Sequence, residues 1–176
     1  MLKLFLPDLY IKDYKDLKID YLRNKGIKML ICDIDNTLVP FDQHYPDDGV
    51  FAFIEDLKKN DIIPVLISNN KAFRVKEFAK GLNVSYYPSA KKPLKITYRK
   101  VLNDFQIYKG EVATLGDQLL TDVLGSKRIG LLTILAKPLV TRDINYTKIN
   151  RFIERYVYQL LERKGYLKRG VFDEQV

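Results

Sequence analysis

One cysteine and one histidine are all this 176-residue chain has of two residue types that often do chemistry. A lone Cys32 forms no internal disulfide and builds no multi-cysteine metal site, so a reducing compartment is expected. Inside an apolar run, Cys32 reads as a small core residue. His44 stands in a loop, where a solitary histidine is more naturally a surface residue than a ligand, although it could overhang a site. Long apolar runs are also missing: none reaches the length of a transmembrane helix, and no signal peptide with a small-residue cleavage site is visible. A cytoplasmic protein is the expectation. Acidic side chains are in deficit, 22 against 30 basic, which leaves a net charge of +8. That surplus favours nucleic acid, anionic lipid or an acidic substrate without choosing among them. The length suits a single domain over 1–176 that buries about 70% of its unfolded surface.

What is present is organised around Lys28–Val39, a short apolar run that ends in Asp33-Ile34-Asp35-Asn36-Thr37. The apolar part reads as a buried parallel strand. If the strand continued through both aspartates, their side chains would point the same way. Two carboxylates at the end of a buried strand repel each other and lose hydration, so they need a cation, a shared proton or a polar cleft.

Along the rest of the chain, strand-like and helix-like segments alternate. An apolar arm over 2–11, broken by Pro7, either docks on the domain or meets a bilayer surface. A short helix is expected around Tyr14–Asn24, stopped by Gly26. After the loop Val39–Asp48 comes a helix over 47–60, with Asp47 and Asp48 at its start and Val50, Phe51, Phe53, Ile54 and Leu57 as its apolar face. Ile62–Ile67 reads as a strand ending in Ser68-Asn69-Asn70, followed by a helix over 71–81 and a strand Val84–Tyr87. Pro93 suits the first position of a helix running to about Asp104. A strand Glu111–Leu115 ends in Gly116-Asp117-Gln118, and a helix over 119–128 leads to a strand Leu131–Leu135. This rhythm predicts an α/β fold with a central parallel sheet of about five strands. Ligand sites in such sheets lie outside the carboxyl ends of the strands, where Asp33, Asp35, Ser68, Asn69, Lys92 and Asp117 all fall.

The tail predicts one amphipathic helix over about 147–166, with Ile149, Phe152, Ile153, Tyr156, Val157, Leu160 and Leu161 on one stripe. Between Arg151 and Arg169 lie six basic and two acidic side chains, half the net charge of the chain. Such a helix packs on the sheet with a solvated charged face, or meets anionic lipid or another polyanion.

Asp33-x-Asp35-x-Thr37, Ser68, Lys92 and Gly116-Asp117-x-x-x-x-Asp122, in that order, resemble the four motifs of the haloacid-dehalogenase (HAD) superfamily of phosphatases. Leu6-Pro7-Asp8, Ser68-Asn-Asn70 with Arg74, Lys92-Pro93, Gly116-Asp-Gln-Leu-Leu-Thr-Asp122, Arg128-x-Gly130 and Asn150-Arg151 narrow this. They resemble the YqeG branch of subfamily IIIA, related to phosphatidylglycerophosphate phosphatases. The resemblance implies a HAD-like Rossmannoid three-layer fold. The 35 positions from Asp33 to Ser68 and the 24 from Ser68 to Lys92 leave no room for a cap domain, so the site should be open.

The resemblance also implies roles. Asp33 is the nucleophile that forms an aspartyl-phosphate, and Asp35 the general acid and base. Mg²⁺ is the expected cofactor, held by Asp33, Asp117 and the Asp35 backbone carbonyl, with Asp122 and Thr37 behind them. Ser68, the Asn69 backbone N–H and Lys92 hold the phosphoryl oxygens, each of which has a plainer alternative as a helix cap or a solvated lysine. Lys91 competes with Lys92 as the motif lysine, and the Lys-Pro pair favours Lys92. Arg74, Arg142 and Arg151 are candidates for headgroup contacts. The expected partner is a phosphorylated substrate, foremost phosphatidylglycerophosphate at the inner membrane face. A soluble or nucleic-acid-linked phosphomonoester, and a non-catalytic basic module binding RNA or a protein, are the alternatives.

Overall fold

The computed structural model describes residues 2–140 and 148–175, with residues 148–151 as backbone only. Its centre is the apolar run before the aspartates. Met29–Cys32 (β2) lies between Ile63–Ile67 (β3) and Val112–Gly116 (β5), parallel to both. All four residues of β2 are buried, because both faces of the sheet are covered. Ser85–Tyr87 (β4) extends the sheet beyond β3, and Leu132–Ala136 (β6) extends it beyond β5.

The sheet has six strands, in the order β1-β6-β5-β2-β3-β4, one more than the expected five or so. The extra strand is Leu9–Ile11 (β1), from the N-terminal arm. Leu9 pairs with Ile134 and Ile11 with Ala136, so this part of the arm docks as an edge strand just past Pro7.

The chain builds outward from β2 to β3 and β4, then crosses back to lay β5 and β6 on the other side. At that reversal the crossovers on either side of β2 diverge and leave a crevice at the carboxyl ends of β2 and β5. Helices cover the two faces. Asp48–Lys59 (α2) and Ala72–Ala79 (α3) pack Val50, Ile54, Leu57, Val75 and Phe78 against Leu30, Cys32 and Leu66, joined by Leu22 of Ile19–Asn24 (α1). On the other face Ile96–Asp104 (α4) sets Tyr98 and Val101 against Met29, Ile31 and Val65. The alternation along β2 thus sorts Leu30 and Cys32 from Met29 and Ile31. Each fully buried apolar side chain contributes about 1.5–3 kcal/mol.

Local signals set several boundaries. The Asp47 carboxylate caps α2 by accepting the Val50 N–H, as two aspartates at a helix start suggest. Phe51, assigned to the apolar face of that helix, is partly exposed. The helix expected over Tyr14–Asn24 divides into a 3₁₀ turn Tyr14–Asp16 and α1. Pro93 does not open a helix: Lys92–Pro93 is cis, a turn closes from the Leu94 N–H to the Lys91 carbonyl, and α4 begins at Ile96. The helix expected over 119–128 opens as a wide π turn, Leu119–Val123, and tightens into Leu124–Lys127 (α5).

Lys148–Arg163 (α6) realises the predicted tail helix, but its stripe divides. Val157, Tyr158 and Leu161 are buried against Tyr10, Leu119, Val123 and Leu135. Phe152, Ile153 and Tyr156 face solvent. The reason is angular: positions 154, 157, 158 and 161 form one face at 100° per residue, 152 and 156 lie opposite, and 153 sits at its flank. Between β2 and α2 runs only the loop 33–47, and α3 alone joins β3 to β4, so neither segment carries an added domain.

Candidate active site

β2 and β5 deliver their carboxylates side by side. The Asp33 N–H still pairs with the Leu115 carbonyl at 2.8 Å, so Asp33 continues the sheet register by one residue. The chain then turns away: Asn36 has φ 65° and its N–H returns to the Val39 carbonyl. The strand therefore does not run through both aspartates, and their side chains part.

The Asp33 carboxylate accepts Lys92 Nζ at 2.6 Å and the Thr37 hydroxyl at 3.3 Å. The Asp35 carboxylate reaches the opposite wall, where it accepts Ser68 Oγ at 3.3 Å, Asn70 Nδ2 at 3.4 Å and Arg74 at 3.0 Å.

Lys92 is the buried lysine of the pair, and Lys91 is exposed. Its ammonium bridges Asp33 and Asp122, 2.6 and 2.5 Å away. Burial works to lower its pKa, but Asp122 and Asp33 more than offset that and hold it well above the ordinary lysine range. The Lys92 backbone is fixed by the Asn69 side-chain amide, which accepts the Lys92 N–H at 2.7 Å and donates to its carbonyl at 3.1 Å. Behind it, Gly125 lets α5 approach Pro93 and Tyr98, since a Cβ there would lie 3.2 Å from Pro93 Cα and 2.9 Å from the Tyr98 ring.

Asp117 follows β5 directly and is buried. The π turn aims Asp122 back at the site, where its carboxylate accepts the Gln118 N–H and the Thr121 hydroxyl. Carboxylate oxygens of Asp33, Asp117 and Asp122 lie within 4.8 Å of one another. Three buried carboxylates and the buried Lys92 ammonium meet here among the described residues. A hard divalent cation with oxygen ligands fits that donor set. Burial pushes the Asp33 carboxyl up to about 7, with Lys92 working against the shift and Asp122 and Asp35 adding to it.

The structure thus brings together Asp33, Asp35, Thr37, Ser68, Asn69, Lys92, Asp117 and Asp122. The third carboxylate beside Asp33 and Asp117 is Asp122, while the Asp35 carboxylate is turned to Ser68, Asn70 and Arg74. Arg74, a headgroup candidate by sequence, clamps Asp35 and the carbonyls of Gln43 and His44. His44 itself is exposed, and only its carbonyl is engaged. Arg142 and the side chain of Arg151 lie outside the described residues. Sequence reasoning gave the Asn69 side chain no part beyond a possible helix cap, and the Asn70 side chain none. Their signal was available, since an Asn pair after a buried strand supplies amides to whatever the strand end carries.

A parallel sheet whose switch point gathers Asp33, Lys92, Asp117 and Asp122 is the arrangement expected of a phosphatase of the haloacid-dehalogenase type, and the comparisons place the chain among phosphatases. The family described as mitochondrial PGP phosphatase matches residues 2–140, and the chain belongs to that family. The chain is 34% identical over 166 residues to the probable phosphatase YqeG of Bacillus subtilis, covering 94% of this chain and 96% of that protein. Among solved structures, 3-deoxy-D-manno-octulosonate 8-phosphate phosphatase from Yersinia pestis superposes with a TM-score of 0.52 at 19% identity, over 91% of this chain and 94% of that one. The cobalt-bound deoxy-D-mannose-octulosonate 8-phosphate phosphatase of Haemophilus influenzae gives 0.52 at 17% identity, over 84% and 99%. At such identities the structures speak for the fold, and the family for the activity class. The non-catalytic module is set aside.

Proposed function

We propose that the chain is a Mg²⁺-dependent phosphomonoester hydrolase working through an aspartyl-phosphate on Asp33, with phosphatidylglycerophosphate as substrate. One observation carries this: a buried carboxylate at the switch point, paired to a buried lysine and flanked by two further carboxylates. Asp33 and Asp117 would hold the metal together with the Asp35 carbonyl, and Asp122 would anchor Lys92 beside them. When bound, Mg²⁺ supplies the positive charge that lets an anionic carboxylate approach an anionic phosphate.

The chain's own residues do the rest. A carboxylate oxygen of Asp33 attacks phosphorus, and the bond to the leaving oxygen breaks. That oxygen takes the proton carried by Asp35. Ser68 Oγ, the Asn69 N–H and Lys92 Nζ hold the phosphoryl oxygens, as donors where charge develops. Asp35 then removes a proton from the water that cleaves the acyl-phosphate, returning Asp33 and releasing inorganic phosphate. Acid–base help of this kind is worth about 10²- to 10⁴-fold.

The lipid substrate is supported by the family description, by the uncapped crevice, and by the exposed Phe152 and Tyr156 beside Arg155 on α6. No helix among the described residues is long and apolar enough to cross a membrane, so contact with lipid is peripheral in this reading, on the cytoplasmic face.

The test is phosphate release with Mg²⁺ from phosphatidylglycerophosphate in mixed micelles, beside a panel of soluble sugar and nucleotide phosphates. Release from the lipid, abolished by Asp33→Asn, is expected. Brisk hydrolysis of soluble esters with none from the lipid would move the assignment to a soluble substrate.

A further inference from the structure

The end of the sheet away from the carboxylates carries a second concentration of charge, of the opposite sign. A hollow of about 490 Å³ opens there, lined by Arg99, Leu102, Lys109, Arg128, Ile129 and Gly130. Lys109 opens the 3₁₀ turn that leads into β5, and Gly130 precedes β6, whereas Asp33 and Asp117 follow their strands. The five residues of β5 therefore separate the hollow from the site by about 16 Å. We propose that the hollow is an effector site for a small molecule bearing a phosphate group, distinct from the crevice at Asp33. The binding site stands without the phosphatase reading; only its effect on turnover rests on it.

Its three cations come from separate elements. Arg99 projects from α4, Lys109 from the turn before β5, and Arg128 caps α5. Lys109 Nζ stands 3.7 Å from where a Cβ on Gly130 would lie, so the lysine reaches across the 128–130 turn. Among the described residues no carboxylate lines the hollow, and none pairs with these three side chains. The carboxylates on neighbouring segments are engaged elsewhere. Asp104 accepts Lys100 Nζ at 3.0 Å and the Tyr87 hydroxyl at 2.8 Å, and Glu111 pairs with Lys28 at 2.6 Å. Cations that converge without an acid repel one another and raise the local potential, which an anion relieves. The end of α5 favours a cation through its own carbonyls, which accounts for Arg128 but not for Arg99 and Lys109 around it. Arginine adds a planar fork that grips phosphate oxygens through two parallel N–H donors. Half-buried Leu102 and Ile129 supply an apolar floor, which suits the organic part of a phosphate ester.

Arg128-x-Gly130 is part of the resemblance to the YqeG branch, yet it has no place in the crevice and lies here instead. The hollow is tied to the crevice through α5. The Arg128 N–H donates to the Leu124 carbonyl at 3.2 Å, and Leu124 directly follows the π turn that carries Asp122. Ser126 Oγ donates to the Asp122 carbonyl at 2.5 Å and accepts the Thr114 hydroxyl of β5 at 3.0 Å. An anion that draws Arg128 towards Arg99 and Lys109 thus bears on the turn that aims Asp122 at Lys92.

The probes are methylphosphonate and phenylphosphonate, which carry the phosphoryl dianion on a P–C bond and have no ester to hydrolyse. They are titrated into the full chain with Mg²⁺ and followed by heteronuclear NMR. Amide shifts at Lys109–Gly110 and Arg128–Leu131 report the hollow, and shifts at Asp33 and Asn69 report the crevice. Saturable shifts at the hollow are expected in the wild type. Arg99→Gln/Arg128→Gln should weaken that binding about tenfold or more, the value of a charge-assisted hydrogen bond. All three cations are exposed, so the changes spare the core, and Lys109→Gln by itself should weaken the same binding. Tighter binding of phenylphosphonate assigns the hollow to an organic phosphate; equal binding assigns it to free phosphate. At saturating substrate, where competition at Asp33 drops out, methylphosphonate should change kcat about twofold or more in the wild type and not in the double variant. No saturable shift at the hollow, or binding unmoved in both variants, overturns the site. Saturable shifts with kcat unchanged in an active enzyme overturn the effector role. Binding at the hollow in a protein that hydrolyses no phosphomonoester would sink the phosphatase reading and leave the anion site standing.

Discussion

Asp33 is a buried carboxylate with Asp117, Asp122 and Asp35 nearby, and among the described residues the Lys92 ammonium answers it. Its pKa, raised to about 7 from an ordinary 3.8, makes it a stability sensor in the metal-free protein. Between those values the folded state binds a proton that the unfolded state has released, so stability falls as pH rises through that window. Denaturant unfolding in chelator across pH 4 to 7 should show this fall, and Asp33→Asn should flatten it. Arg74 poses a different question, because it touches Asp35 and not the phosphate side of the crevice. It ties Asp35 to the 43–44 backbone, and if Asp35 is the proton donor that contact would make Arg74 a positioning residue. Arg74→Ala should slow poor alkyl leaving groups by about 10²-fold, within the range of acid–base catalysis, and good aryl leaving groups far less. Arg74→Lys should recover part of the loss. Equal slowing of both ester types would reduce Arg74 to a structural contact. Cys32 beside this chemistry is inert: burial pushes its thiol up, and Asp33 adds to the shift.

At the scale of elements, the end of β5 and the π turn are fitted to each other through a missing side chain. A Cβ on Gly116 would collide with the Asp122 carboxylate carbon and lie 2.6 Å from Asp122 Cβ. Gly116→Ala should displace Asp122, leave Lys92 without its second partner and cut kcat, with a smaller effect on unfolding than on turnover. α6 offers a second contrast. Leu161 is fully buried, so Leu161→Ala should cost about 2–5 kcal/mol in denaturant unfolding. Phe152 is 73% exposed, so Phe152→Ala should change stability by less than about 0.5 kcal/mol. If the exposed stripe meets lipid, the same substitution weakens co-sedimentation with anionic vesicles.

For the whole molecule, the site is a junction between halves of the sheet, and an ion held by Asp33 and Asp117 would stitch β2 to β5. Mg²⁺ at about a hundredfold over its dissociation constant should stabilise the fold by about 2.7 kcal/mol. Thermal unfolding with and without chelator measures this, and Asp117→Asn should abolish most of the difference.

The sequence by itself determined the strand–helix rhythm, the parallel sheet, and the polar clusters at strand ends that carry Asp33, Ser68, Lys92 and Asp117. Those follow from local periodicity and from the cost of leaving polar groups at buried strand ends, which neighbouring residues reveal. It did not reveal β1, whose three residues find their partner about 125 positions away, because so short an apolar stretch carries no period of its own. Nor did it show that Asn69 clamps Lys92 across 23 positions, or that Arg74 spans 39 to hold Asp35. Such pairings arise only when separate strands are laid side by side. The division of α6 has the same origin: an apolar stripe says which residues can be buried, and only the surface it meets decides which of them are.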